Sequence, residues 1–293
     1  MEGMIRSELF ANAMLGGTTV AVVAAVVGYF LVLRALAFAS EALTDISFAG
    51  ATGAALIGVN PLAGMVVLGL GAVLCLGQFS ERMRGRDIEI GIVLSFAMGL
   101  GVLFLNLYAH SSASHAAAGV GVLFGSLMSV SVEDILITLA LGALVIACLV
   151  VIGRPLLFAS VDPTVAEVRG VPLRGLGVIF LALLAIATAI SVLMIGILLA
   201  VSLLLAPAAS AVNFGRRPFA TIALAATFGV AIVWLGVTLE FFGPWHHVPV
   251  GFYISFFSSF LYLISLVWKR LISGSEVRQP AHADREVSHH SHG

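Results

Sequence analysis

Along the chain, long apolar stretches alternate with short segments that hold nearly all of the charge. Uncharged, mostly apolar runs cover residues 9–33, 46–80, 90–109, 135–153, 175–215, 218–239 and 250–268. A helix needs about 20 apolar residues to cross the hydrocarbon of a bilayer, so five of these runs have the length of one crossing. The other two are nearly twice as long. Asn60-Pro61, a pair that readily turns a chain, divides the run 46–80, and the run 175–215 is expected to fold back near Gly196. The pattern predicts an all-α, polytopic transmembrane bundle of about nine spans. The first run is too long for a signal-peptide core, and its basic flank, Arg34, follows it, so it is read as a retained helix. Residues 116–130 are fewer and rich in Gly and Ser, and are read as a short helix at one surface.

Composition turns a helical protein into a membrane one. Apolar residues make up 60% of the chain and charged ones only 10%, against roughly 25% charged in a soluble domain. Such a chain cannot coat a water-exposed surface without large apolar patches. The net charge is −1 and the basic residues are scattered, which excludes a nucleic-acid surface. Cys75 and Cys148 lie in apolar runs without CxxC spacing and read as small buried side chains. With Arg82, Arg84 and Arg86 in the cytoplasm, alternation puts 13 of the 14 basic residues inside and only Arg6 outside. The positive-inside rule then sets the N-terminus out and the C-terminus in. Residues 1–272 form the transmembrane domain, and 273–293 form a polar, His-containing cytoplasmic tail expected to be disordered.

The second span carries the chemistry. Its uncharged part, 46–59, is too short to cross alone, and extending it to Ser40 draws Glu41 and Asp45 into the helix. Four residues apart, they share one face. A helix continuous from Arg34 would set Asp45 about 16 Å inward, near the bilayer midplane. Carboxylates there are costly, roughly 2.5–3.5 kcal/mol for an Asp even on the lenient insertion scale, and commonly line an ion path. The alternative is a helix that starts late, with both acids capping its N-terminus at the interface.

The segment from Phe30 to Asp45, followed by Gly50, resembles a conserved stretch of the metal-ion ABC importer permeases, which serve zinc, manganese and iron. Similar in the same order are Arg86-Asp87 with Gly91-Ile92-Val93, Leu123-Phe124-Gly125-Ser126, Arg154-Pro155 with Asp162-Pro163 and Gly170, and Gly196-Ile197 running into Pro207. The likeness covers about residues 10–270. It implies an inner-membrane permease that pairs with a second copy, receives a divalent metal ion from an extracytoplasmic metal-binding protein, and is driven by a separate ABC ATPase subunit. It also implies that Glu41 and Asp45 are metal ligands. The family usually has Asp and His here, so this chain has lost the imidazole, and an all-oxygen pair suits manganese or ferrous iron better than zinc.

Asp162-Pro163 and Gly170 carry the punctuation of a short capped helix: a side-chain N-cap, a proline preset for the first turn, and a left-handed close. From sequence alone this is either an interfacial connector or, as the resemblance implies, the ATPase-coupling loop, with Asp162, Pro163, Glu167, Arg169 and Gly170 as its residues. All eight histidines fall outside the spans. Glu240, His246 and His247 are candidate metal contacts at the outer mouth, unless Gly243 to His247 is only an interfacial aromatic belt. The tail histidines His282, His289, His290 and His292 are a candidate weak metal tract or a dispensable extension. Gly69-Leu-Gly71 and Gly119-Val-Gly121 read as helix-packing points. Lys269 is the only lysine and there is no GxxxxGK[ST], so ATP hydrolysis is assigned to a partner chain, with no enzyme activity and no intrinsic cofactor expected here. The rival reading is a stand-alone, proton-coupled secondary transporter of metal ions.

Overall fold

The computed structural model describes residues 2–79, 86–111, 131–215, 217–242 and 249–276, and those residues form ten helices and no strand. In chain order they are α1 (Glu2–Leu33), α2 (Ala37–Leu56), α3 (Pro61–Phe79), α4 (Arg86–Ser111), α5 (Val132–Val161), α6 (Pro163–Val168), α7 (Leu173–Ile195), α8 (Ile197–Phe214), α9 (Pro218–Phe242) and α10 (Val250–Glu276). Residues 116–130, both glycines of Gly119-Val-Gly121, His115, His246, His247 and the tail from 277 onward lie outside the described residues.

Local chemistry accounts for the breaks. Asn60 accepts the Leu62 N–H on its side-chain oxygen at 2.9 Å and Pro61 opens α3, so the run 46–80 divides where its turn pair stands. Gly196 divides α7 from α8 alone, at φ 93° and ψ 160°, a backbone region open essentially only to glycine. Ser131 and Asp134 form a reciprocal capping box at the start of α5. Between α1 and α2, Ala35 takes the left-handed position (φ 52°) while the Leu36 N–H closes on the Leu31 carbonyl at 3.1 Å. This is the usual helix-ending geometry with alanine in glycine's place.

One boundary corrects the sequence reading. The inner loop expected from Arg154 to Arg174 is mostly helix, because α5 continues through Arg154 and Pro155 to Val161. A proline ends helices in water, but inside a bundle the surrounding packing keeps the helix going: Leu156 and Ala159, just beyond it, are buried. Arg154 is exposed, as a long basic side chain near a membrane surface requires.

Two helices act as hubs. α1 packs against α5, α7, α8 and α9, and α2 against α3, α4, α7 and α8. Val20, Val27 and Leu31 of α1 meet Phe180, Leu184 and Ile190 of α7 and Leu203 and Leu204 of α8 in one fully buried core. α2 and α3 cross so closely that a Cβ on Gly50 or Gly64 would strike the backbone of the other helix. Gly69 likewise faces Ala185 and Ser47, but Gly71 faces open space, so only one glycine of that pair is a packing point.

Among the described residues, Glu8–Leu33, Gly91–His110, Val132–Val161, Leu173–Ile195, Pro218–Phe242 and Val250–Leu271 are six stretches long and apolar enough to cross a membrane, and Pro61–Leu74 and Leu199–Phe214 are shorter apolar helices. Together with α2 they coincide with the apolar runs of the sequence. Large side chains on the outer faces of α4, α5 and α10, such as Phe96, Val151 and Phe256, are exposed as lipid contact demands.

Candidate functional site

α2 begins at Ala37, early enough to contain both carboxylates, and 14 of its 20 residues are buried. Because the helix starts afresh after the Arg34 to Leu36 turn, Asp45 stands about 12 Å along α2, not 16 Å from Arg34 along one helix. The two acids are not equivalent. Asp45 is buried, 8% exposed, whereas Glu41 is open at the protomer surface beside exposed Phe38. The α2 hydroxyls near them are satisfied inside the helix: Thr44 donates to the Ser40 carbonyl at 2.8 Å, Ser47 to Leu43 at 2.8 Å and Thr52 to Phe48 at 2.9 Å. Among the described residues no third His, Cys, Asp or Glu joins the acid pair. The chain thus offers an oxygen-only pair at this point of α2.

One turn beyond Asp45, Phe48 is fully buried and rests in a notch of α4, where a Cβ on Gly101 would press on its ring. Phe48 shares an apolar cluster with Leu62 and Met65 of α3, Val192 of α7 and Ile197 of α8. Asp45 therefore lies one helical turn from a dry apolar cluster, whose only signal in the sequence is Gly101 interrupting an apolar run.

At the end where α5 gives way to α7, every predicted punctuation mark is in place. Asp162 accepts the Val165 N–H on its side chain at 3.0 Å, Pro163 opens α6, and Gly170 takes φ 77° while the Val171 N–H returns to the Ala166 carbonyl at 3.0 Å. Ala166 is buried against the bundle, while Val161, Val165 and Val168 are exposed. The Arg169 guanidinium lies 5.8 Å over the Phe158 ring, and Arg34 lies 5.6 Å over that of Phe180. Neither ring partner had a local sequence signal. Glu167 is exposed on α6.

Glu240 lies near the opposite end, beside the aromatic cluster in which Phe10 meets Phe241 and Phe242 at centroid distances of 5.1 and 5.7 Å. Its carboxylate lies beside the backbone N–H of Val250, the first residue of α10, and its Oε2 is buried with no partner among the described residues. This ties α9 to α10.

Comparison with known proteins follows the same map. The model of the ABC 3 transport family matches residues 6–269. The chain belongs to that family. The manganese transport system membrane protein MntC of Listeria innocua serovar 6a is 28% identical over 242 residues, covering 82% of this chain and 85% of that protein. The high-affinity zinc uptake system membrane protein ZnuB of Haemophilus influenzae is 27% identical over 261 residues, 88% of this chain and 97% of that one. Among solved structures, PsaBC from Streptococcus pneumoniae in complex with Fab shares the fold, with a TM-score of 0.78 at 24% identity over 91% of this chain and 95% of that one. The ABC 3 fold thus extends across the described helices, both hubs included.

Proposed function

We propose that the chain is the permease subunit of an ATP-binding-cassette importer for a divalent transition metal, working by alternating access in the plasma (inner) membrane. The observation that carries this reading is the pair of carboxylates on one face of α2, Asp45 buried and Glu41 open, in a helix otherwise built of small and apolar residues. Relatives named for manganese and for zinc transport support the substrate class. The bundle crosses the membrane nine times, with the N-terminus out and α6 in the cytoplasm.

An exposed carboxylate at membrane depth cannot face lipid, so the Phe38–Glu41–Asp45 face opens to an aqueous path shared with a second copy. Two copies bring four carboxylate groups toward one divalent ion, which one protomer alone cannot coordinate. Oxygen donors of this kind favour manganese or ferrous iron over zinc. An extracytoplasmic metal-binding protein delivers the ion at the end carrying Glu240, His246 and His247. A separate ATPase docks on α6 through its exposed valines.

Reconstitution tests this reading. Liposomes holding the permease, its ATPase and its binding protein are expected to accumulate manganese only with ATP and to ignore a protonophore. Uptake by the permease alone, abolished by the protonophore, would instead establish the proton-coupled transporter.

A further inference from the structure

Resting on that reading, we infer that Phe158 is a positioning residue through which movement of α6 enters the membrane by way of α5, its ring clasped by Arg169. The two joints of α6 differ. On the α5 side a single residue, Asp162, ends one helix and begins the next: its N–H donates to the Phe158 carbonyl at 3.1 Å, its carbonyl accepts from the Ala166 N–H at 3.1 Å, and its side chain holds the Val165 N–H at 3.0 Å. Three hydrogen bonds through one residue make an elbow with little freedom. On the α7 side the chain leaves by Arg169, left-handed Gly170, Val171 and Pro172 before α7 begins at Leu173, a longer link with a glycine at its centre.

The Arg169–Phe158 contact braces the stiff joint. Arg169 follows the last residue of α6, and its guanidinium reaches back 5.8 Å over a ring in the last turn of α5. The strut spans the elbow from the far end of α6, so tilting α6 about Asp162 pulls on Phe158. One turn earlier, Pro155 leaves the Val151 carbonyl without its helical N–H donor, so α5 has its weakest rung where the pull arrives. Beyond that point α5 packs along α1 and α7, the helices that make up the core.

Reconstituted complexes test this by metal ions imported per ATP hydrolysed, with ATPase association measured alongside. Phe158→Leu keeps apolar bulk without a π face, and Arg169→Gln keeps length without charge. Each is expected to retain the ATPase and to lower the transport-to-hydrolysis ratio about two- to fivefold, the range expected of an exposed cation–π contact. The double variant should be no worse than either single one, and Phe158→Tyr should restore the ratio. Wild-type ratios in both single variants, or equal ratios for Leu and Tyr at 158, would overturn the strut. Val168→Asp separates this outcome from failure of the docking reading. Loss of ATPase association in that variant keeps α6 as the docking helix whatever the strut does, whereas full association and uptake would overturn docking and strut together.

Discussion

Asp45 concentrates the argument at the scale of single residues, because it combines burial with a carboxylate that no basic side chain among the described residues pairs with. Asp45→Asn keeps shape and removes the charge, so insertion is expected to be normal while metal uptake falls at least as far as the roughly 10–100-fold that outer-shell substitutions cost a metal site. Asp45→His adds a nitrogen donor and, if the proposed site holds the metal, should shift the uptake ratio toward zinc relative to manganese. Both are read from uptake of the two metals at matched membrane abundance. Ala35 is a different case, a stability defect with a known remedy. The left-handed region costs an L-residue roughly 1–2 kcal/mol, and glycine's greater freedom in the unfolded chain returns part of the gain. Ala35→Gly should therefore stabilise the protein by about 0.5–1 kcal/mol, visible as a higher melting temperature in detergent. Glu41 and Asp45 stood out in the sequence because charge inside an apolar run is conspicuous. Their unequal burial did not, since it depends on which neighbours cover each turn of α2. Phe158 was invisible for a related reason, since its partner Arg169 lies across an elbow and not at a helical spacing.

At the scale of elements, the sequence disclosed breaks that have their own chemistry. Asn60-Pro61, Asp162-Pro163 with Gly170, and Gly196 each mark a boundary that the fold uses. The charge at Arg154 misled, because it ends the uncharged run while the helix continues through Arg154 and Pro155 to Val161, with Leu156 and Ala159 buried against the bundle. The two cases lead to opposite predictions. At Gly196 a side chain would be forced into a glycine-only conformation inside the core, so Gly196→Ala should destabilise by about 1–3 kcal/mol and lower the melting temperature. Pro155→Ala returns a backbone donor to α5, so it should raise the melting temperature while slowing transport per ATP, because the weakest rung of the helix is gone. Faster or unchanged transport in a stabilised Pro155→Ala protein would show that α5 moves as a rigid rod.

For the whole molecule, apolar runs foretold where the long described helices lie but not which of them are central. α2 is among the least apolar of the long helices and one of the most buried, because Gly50 and Gly64 let backbones meet and small residues fill its length. Hydropathy measures suitability for lipid and says little about a helix surrounded by other helices. Orientation has the opposite character: it follows from the side on which the arginines fall, and it decides whether α6 can meet an ATPase at all. Val59, in the turn between α2 and α3, and Val168, at the end of α6, are both exposed and lie toward opposite ends of the bundle. In a protein whose Cys75 and Cys148 are replaced by Ser, Val59→Cys is expected to react with a membrane-impermeant thiol reagent applied to intact cells, and Val168→Cys only after the cells are opened. Reversed labelling would put α6 outside, where no ATP is available, and the ATP-driven mechanism would fall with it. Labelling of both sites from outside would break the alternation and remove one crossing from the span between them. The expected pattern would instead set the carboxylate pair on the cytoplasmic half of α2, with the buried Phe48 cluster outward of it.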